Sequence, residues 1–251
     1  MNELIRRSRA FLKLPADLLQ QVEQAPPDEA RGVPPPPIEK PSPATLRRIT
    51  LPKEPWTARQ PCDLYTAIAR RRSHRRFTPD ALELAEVTWL LWATQGIRQH
   101  VNASTAFRTV PSSGCRHAIE TYLAVMRVTG LEPGVYRYLP VEHQLVEEFA
   151  DPALAVTLTQ VTLGQSWVRD AAVVFIWTTM PYRMEWRYSL AAHKAIAIDL
   201  GHISQNLYLA CEAVRAGTCA IGAYHQESLD RWLRLDGQDE FAVHLSAVGR
   251  I

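Results

Sequence analysis

No apolar run in this 251-residue chain approaches the roughly 20 residues that a membrane-spanning helix requires. The strongest candidate, "AAVVFIWTTM", is short and β-branched and reads as a buried strand. The N-terminus, "MNELIRRSRAFLKLPADLL", has arginines but no continuous apolar core, so a secretory signal is not expected. Cysteine is scarce: Cys62, Cys115, Cys211 and Cys219 are widely spaced with no C-x-x-C pair, which suits reduced thiols in a cytoplasmic protein. Neither sign of charge dominates, with 28 Lys and Arg against 26 Asp and Glu, and this near-balance argues against a nucleic-acid partner.

Several motifs are also missing. There is no G-x-G-x-x-G, no G-x-x-x-x-G-K-[ST] and no G-x-S-x-G, so no fingerprint exists for a Rossmann dinucleotide site, a P-loop or a nucleophile elbow. Asp199 and His202 stand three apart on a helical stretch, but a single such pair does not make a metal centre, and no metal is expected. Ser113, Cys115 and His117 lie close in sequence without any supporting signature of a nucleophile and its base.

What the chain does have is proline in one place and arginine in another. Eleven of its 18 prolines fall between Pro26 and Pro61, so this stretch reads as an extended arm. Ile38, Leu46, Ile49, Leu51 and Trp56 within it imply that the arm lies against its own domain or a partner subunit. Residues 3–22 before it have amphipathic helical character, with Leu4, Phe11, Leu12, Leu18 and Leu19 apolar and Pro15 interrupting. The division expected is an arm over 1–61 and a folded body over 62–251.

In the body, "DLYTAIARRR" reads as a helix with Leu64, Tyr65 and Ile68 on its apolar side. "TPDALELAEVTWLLWATQG" reads as a helix with Asp80 as N-cap and Gly96 as its end. A loop follows, then the strand "IETYLAVMRV" and a hairpin in "GVYRYLPVEHQLVEEF". Beyond these come a helix near 153–163, a strand over 171–179, the long helix "KAIAIDLGHISQNLYLACEAVRAG", the strand "TCAIGAY", a helix in "QESLDRWLRL" and a last strand, "FAVHLSAVG". Helices and strands mix without βαβ alternation, which indicates an α+β fold.

The arginines concentrate in "RRRSHRRF", where Arg70, Arg71, Arg72, Arg75 and Arg76 surround Ser73 and His74. Such a run is either a solvated basic face or a receiver for a phosphate, to which guanidinium forks and a hydroxyl are well matched. "VPSSGCRH" is either a polar turn or a loop whose Gly114 allows a planar ligand close to the backbone, and Gly222 in "GTCAIGAY" poses the same choice.

The order of these segments resembles that of the nitroreductase-like flavoproteins, and most of all the SagB-type dehydrogenases. R-R-S-x-R-x-F, P-S-S-G with a histidine after two intervening residues, E-x-Y-L-x-V, "LGQSWVRDAAVVFI", "DLGHISQNLYLACEAV", "GTCAIGAY" and "AVGR" follow one another over about residues 62–251. The resemblance implies an α+β homodimer with a central mixed β-sheet flanked by helices and a long dimer-forming helix. It also implies FMN at the subunit interface, each bound mainly by one subunit and covered by the other.

By position, Arg71, Arg72, Ser73 and Arg75 would meet the FMN phosphate, with Arg250 as a C-terminal basic contact. Ser112, Ser113 and Gly114 would lie beside the flavin ring, and Gly222 would offer a backbone contact. Two chemistries follow: oxidation of azoline heterocycles in a modified peptide, or NAD(P)H-driven reduction of a nitroaromatic or quinone-like small molecule. The chain departs from the family at Ala118, where proline is usual, and at Arg187–Tyr188, where azoline dehydrogenases carry Lys-Tyr. Arginine stays protonated and cannot act as a base, which leaves Tyr188, and Lys194 nearby, as the candidates for catalytic proton transfer.

Overall fold

A computed structural model describes residues 3–13, 17–54 and 62–251. Its centre is a seven-stranded sheet in the order β1 (Arg48–Thr50), β8 (Gln144–Phe149), β7 (Gly134–Leu139), β5 (Ile119–Val125), β9 (Val173–Thr179), β11 (Phe241–Arg250), β10 (Ala216–Ile221). Every ladder in it is antiparallel, so the mixed sheet implied by the resemblance is corrected to an antiparallel one. Among the described residues, parallel pairing enters only as the Ser73–Thr218 bridge and the two-residue ladder of β2 (Leu82–Glu83) with β6 (Val128–Thr129).

Side-chain alternation along the central strands builds two cores. Leu123, Val173, Phe175, Trp177 and Val248 face one side, where α4 (Leu84–Gln95) and α7 (Ala192–Glu212) cover them. Tyr122, Val174, Ile176, Leu245 and Ala247 face the other, with α5 (Leu154–Val161) and α8 (Gln226–Trp232). β5 and β9 are buried at every residue, which is why apolar residues dominate both, with Glu120 and three threonines as the buried exceptions. The α+β class holds, as do the 134–149 hairpin and the long helix.

Four local expectations are corrected. The N-cap of α4 is Glu83, not Asp80: the Glu83 N–H donates to the Glu86 carboxylate at 2.8 Å, while Asp80 accepts from the Thr78 hydroxyl. Residues 97–108 form a hairpin, β3 (Ile97–Asn102) with β4 (Thr105–Arg108), whose first strand is mostly exposed and so lacks an alternating apolar pattern. The helix α3 (Leu64–Arg70) buries only Ala67, leaving Leu64, Tyr65 and Ile68 exposed. The N-terminal segment divides into α1 (Glu3–Ser8), a 3-10 turn at Arg9–Leu12 and α2 (Leu18–Gln24), with Leu4, Phe11 and Leu12 exposed. The expectations for Pro15, Trp56, Pro61 and the Leu19 side chain lie outside the described residues.

The proline-rich arm is held by its own chain. It crosses α6 (Tyr182–Tyr188), adds β1 to the sheet edge and buries Leu51. Lys40 is its main peg: the backbone N–H donates to Glu120, and the ammonium donates to the Tyr122 hydroxyl and pairs with Glu240. Arg137 donates to the Lys40 and Pro41 carbonyls, and Arg108 to that of Ile38. Proline leaves the arm few backbone donors, so side chains of the body satisfy its carbonyls instead.

Candidate functional site

The arginine run begins at the end of α3 and passes along the edge of β10. Ser73 bridges Thr218, the His74 N–H donates to the Thr218 carbonyl at 2.9 Å, and Phe77 packs against Gly249. This seating leaves Arg70, Arg72, Arg75 and Arg76 exposed and Arg71 half-buried. None of the five has an ion-pair partner among the described residues. Burial and the Arg72 charge push the His74 imidazole below its usual pKa, so His74 adds no sixth charge near neutral pH.

Tyr208 on α7 completes this end. Its hydroxyl lies 2.9 Å from Ser73 Oγ, accepts from the Ala220 N–H at 2.9 Å, and its ring lies 5.4 Å from the Arg71 guanidinium. Sequence spacing singled out no role for Tyr208, because its partners come from residues 71–73 and from β10. Gly222, one residue past β10, is exposed, and a Cβ there would meet nothing within 4 Å. The two together form a basic, open shelf with a backbone bare enough for close approach.

Ser112, Ser113 and Gly114 lie elsewhere. The Ser113 N–H donates to Asp199 on α7 at 3.3 Å, the His117 N–H donates to Ser112 Oγ at 2.9 Å, and burial pushes the Asp199 carboxyl up. Gly114 takes φ +57°, and a Cβ there would stand 2.7 Å from both the Arg187 Cδ and the Tyr188 hydroxyl. The loop and the Arg187–Tyr188 pair thus meet, and only glycine fits between them. Asp199 and Tyr208 are nine residues apart on α7, a rise of about 13 Å on opposite sides of the helix. One chain therefore brings the expected site residues into two groups, Arg71, Arg72, Ser73 and Arg75 in one and Ser112, Ser113, Gly114 and Tyr188 in the other, with Gly222 four residues past Thr218, just beyond the end of β10.

Three candidates have their side chains committed elsewhere. The Arg250 guanidinium pairs with Glu86 and donates to the Val214 carbonyl, so its charge is already matched. The Lys194 ammonium donates to the Leu12 carbonyl at 2.7 Å, which makes it an anchor for the N-terminal turn. His117 is buried against the Ala106 carbonyl with its pKa pushed down to about 2 by burial, so it cannot serve Cys115 or Ser113 as a base. No three-residue group of His, Cys, Asp or Glu among the described residues could hold a metal. No helix among them is long and apolar enough to cross a membrane.

An antiparallel sheet between two helical layers, with a basic segment clamped to its edge strand, places the protein among α+β folds with a surface shelf suited to a phosphate. The chain belongs to the nitroreductase family, which it matches over residues 68–250, and so to a family of oxidoreductases. A putative nitroreductase of Methanocaldococcus jannaschii is 29% identical over 187 residues, spanning 74% of this chain and 90% of that protein. The trifolitoxin-processing protein TfxB of Rhizobium leguminosarum is 29% identical over 180 residues, which are 68% of this chain and only 48% of TfxB.

Among solved structures, a putative nitroreductase from Ralstonia eutropha superimposes with a TM-score of 0.67 at 26% identity, over 86% of this chain and 98% of that one. One from Desulfovibrio desulfuricans, in complex with FMN, gives 0.52 at 20% identity over 76% and 87%. The family read from the sequence is thus established.

Proposed function

We propose that this protein is an FMN-dependent oxidoreductase of the SagB type, acting as a homodimer whose two residue groups meet across the subunit interface. The observation that carries the reading is the unpaired arginine run around Ser73. Five arginines within seven residues repel one another unless an anion joins them, and a phosphate monoester carries close to two negative charges near neutral pH. The Desulfovibrio relative's FMN complex fits this chemistry.

Bound FMN would supply the hydride acceptor or donor. Arg71, Arg72 and Arg75 would hold its phosphate with Ser73 and Tyr208, and Gly222 would permit close backbone approach. Ser112, Ser113 and Gly114, reaching in from the second copy, would orient and cover the ring. Exposed Leu64, Tyr65 and Ile68 on α3 and Ile198 on α7 offer the apolar surface that such a partner would bury. Tyr188, at the Gly114 loop, would donate or accept the substrate proton at its hydroxyl.

For the substrate, likeness to a trifolitoxin-processing protein supports oxidation of azolines in a modified peptide. Arginine at position 187 favours the second reading, NAD(P)H-dependent reduction of a small acceptor, because an azoline dehydrogenase would be expected to carry lysine there. The visible spectrum of purified protein, with its released chromophore identified, tests the cofactor. Steady-state assays with a thiazoline peptide and with NADPH plus menadione separate the substrates. On the productive substrate, Tyr188→Phe should slow turnover by ~10²–10⁴ with FMN still bound; full turnover would remove Tyr188 from the mechanism.

A further inference from the structure

Residues 25–33 of the arm cross α6 and its joint with α7, and most of the bonds they make there fall at or beside the Arg187–Tyr188 pair. The Glu29 N–H donates to the Trp186 carbonyl, and the Trp186 indole donates to the Val33 carbonyl, both at 2.9 Å. The Tyr182 hydroxyl donates to the Asp28 carboxylate, and Ser189 Oγ donates to the Ala25 carbonyl. Arg187 pairs with the Glu29 carboxylate at 2.5 Å.

The backbone under this strap is strained on both sides of the contact. Ser189, directly after Tyr188, has φ 46° and ψ −124°, a region that a side chain disfavours. Across from it Cys115 and His117 also take positive φ, at 55° and 46°. Such conformations persist only where surrounding contacts over-determine them, and they concentrate at functional sites. Here the surrounding contacts include the arm.

We propose that Glu29 is a positioning residue of the active site: its carboxylate holds the Arg187 side chain against Gly114, and so keeps the Tyr188 hydroxyl at that loop. The inference rests on the flavin reading above. Arginine is not a base that enzymes can use, so the contribution of the Arg187 side chain is as a wedge and a fixed charge. The pair is well exposed, 40% and 37%, and exposed ion pairs add little to global stability. Loss of Glu29 therefore registers at the loop and in the chemistry, while the melting temperature stays near that of the parent.

Cys115, half-exposed beside Gly114, reports on the loop without any knowledge of the substrate. In a Cys62→Ser background of the full chain, Glu29→Gln should raise the iodoacetamide alkylation rate of Cys115 several-fold. It should alter the visible spectrum of bound FMN, change FMN affinity by less than about twofold, and leave the melting temperature within a degree or two. The charge-swapped pair Glu29→Arg with Arg187→Glu should return alkylation toward the parent rate, which a merely disrupted arm would not do. FMN uptake with unchanged alkylation and spectrum in Glu29→Gln overturns this inference alone. Failure of the parent protein to take up FMN overturns the flavin reading, and the role of Glu29 with it.

Discussion

Two groups of arginines in this protein have opposite surroundings. Arg108, Arg137 and Arg183 are buried around Glu120: Arg183 pairs with it at 2.6 Å, Arg137 lies 4.0 Å away and also binds Glu148, and Arg108 donates to Gln95. Further donors of the three reach the carbonyls of Ile38, Lys40, Pro41 and His117. Burial pushes the Glu120 carboxyl up, but Arg183, Arg108 and Arg137 outweigh it and hold the carboxyl below its usual range. Arg70 to Arg76 are mostly exposed and have no carboxylate partner among the described residues. A buried guanidinium must be matched inside the fold, so its donors are committed to structure. An exposed group of like charges held close by the backbone keeps its donors available to a ligand.

The largest expected effect comes from breaking the buried group. Removing one partner of a buried pair leaves an uncompensated charge and typically costs ~3–5 kcal/mol. Glu120→Gln should lower the melting temperature on the order of 10 °C, while protein that remains folded at low temperature still binds FMN. If thermal denaturation shows no change, the buried network is not what fastens the arm.

The exposed group should behave in the reverse way. Arg75→Ala should weaken FMN binding roughly ten- to a hundredfold, ~1.5–3 kcal/mol, with little change in the melting temperature of the FMN-free protein. Riboflavin, which has no phosphate, serves as the control, and equal weakening of both ligands would contradict the phosphate assignment. Arg70→Ala and Arg76→Ala, outside the R-R-S-x-R positions, should each change FMN affinity by less than about threefold.

A smaller effect tests the boundary of the buried group. Glu39, in the arm beside it, has its carboxyl pushed up to about 8, first by burial, against a Val141 N–H that favours ionisation. A carboxyl whose pKa is higher in the fold than in the unfolded chain binds more protons when folded. Its contribution to stability is therefore present at acid pH and lost as pH rises from about 4.5 through about 8. Melting curves from pH 5 to 8.5 should show a decline in the parent that Glu39→Gln flattens. Identical profiles would place the Glu39 carboxylate in a better-solvated setting than its burial indicates.

The sequence was most legible where local chemistry and tertiary position agree. β5 and β9 are covered on both faces, so they are mostly apolar, broken only by Glu120 and threonines, and readable as strands. The 134–149 hairpin has its polar turn, and α4 ends at Gly96, whose N–H donates to the Trp92 carbonyl. Legibility failed where partners are distant: Asp80 and Glu83 are equally plausible caps until β2 pairs with β6, and the exposed strand β3 carries no apolar rhythm. Arg250 and Lys194 looked available because Glu86 and the Leu12 carbonyl lie 164 and 182 residues away.

By itself the sequence determined the α+β class, the body that matches the family, and the crowding of charge around Ser73, since these follow from composition and order along the chain. Only the tertiary structure decided which arginines stay unpaired, that Tyr208 joins Ser73, and that the Gly114 loop meets Arg187 and Tyr188 under the arm. It also decided that the two groups of site residues stand on opposite sides of one helix. Charge matching and burial depend on distances between residues far apart in sequence, and the fold alone sets those distances.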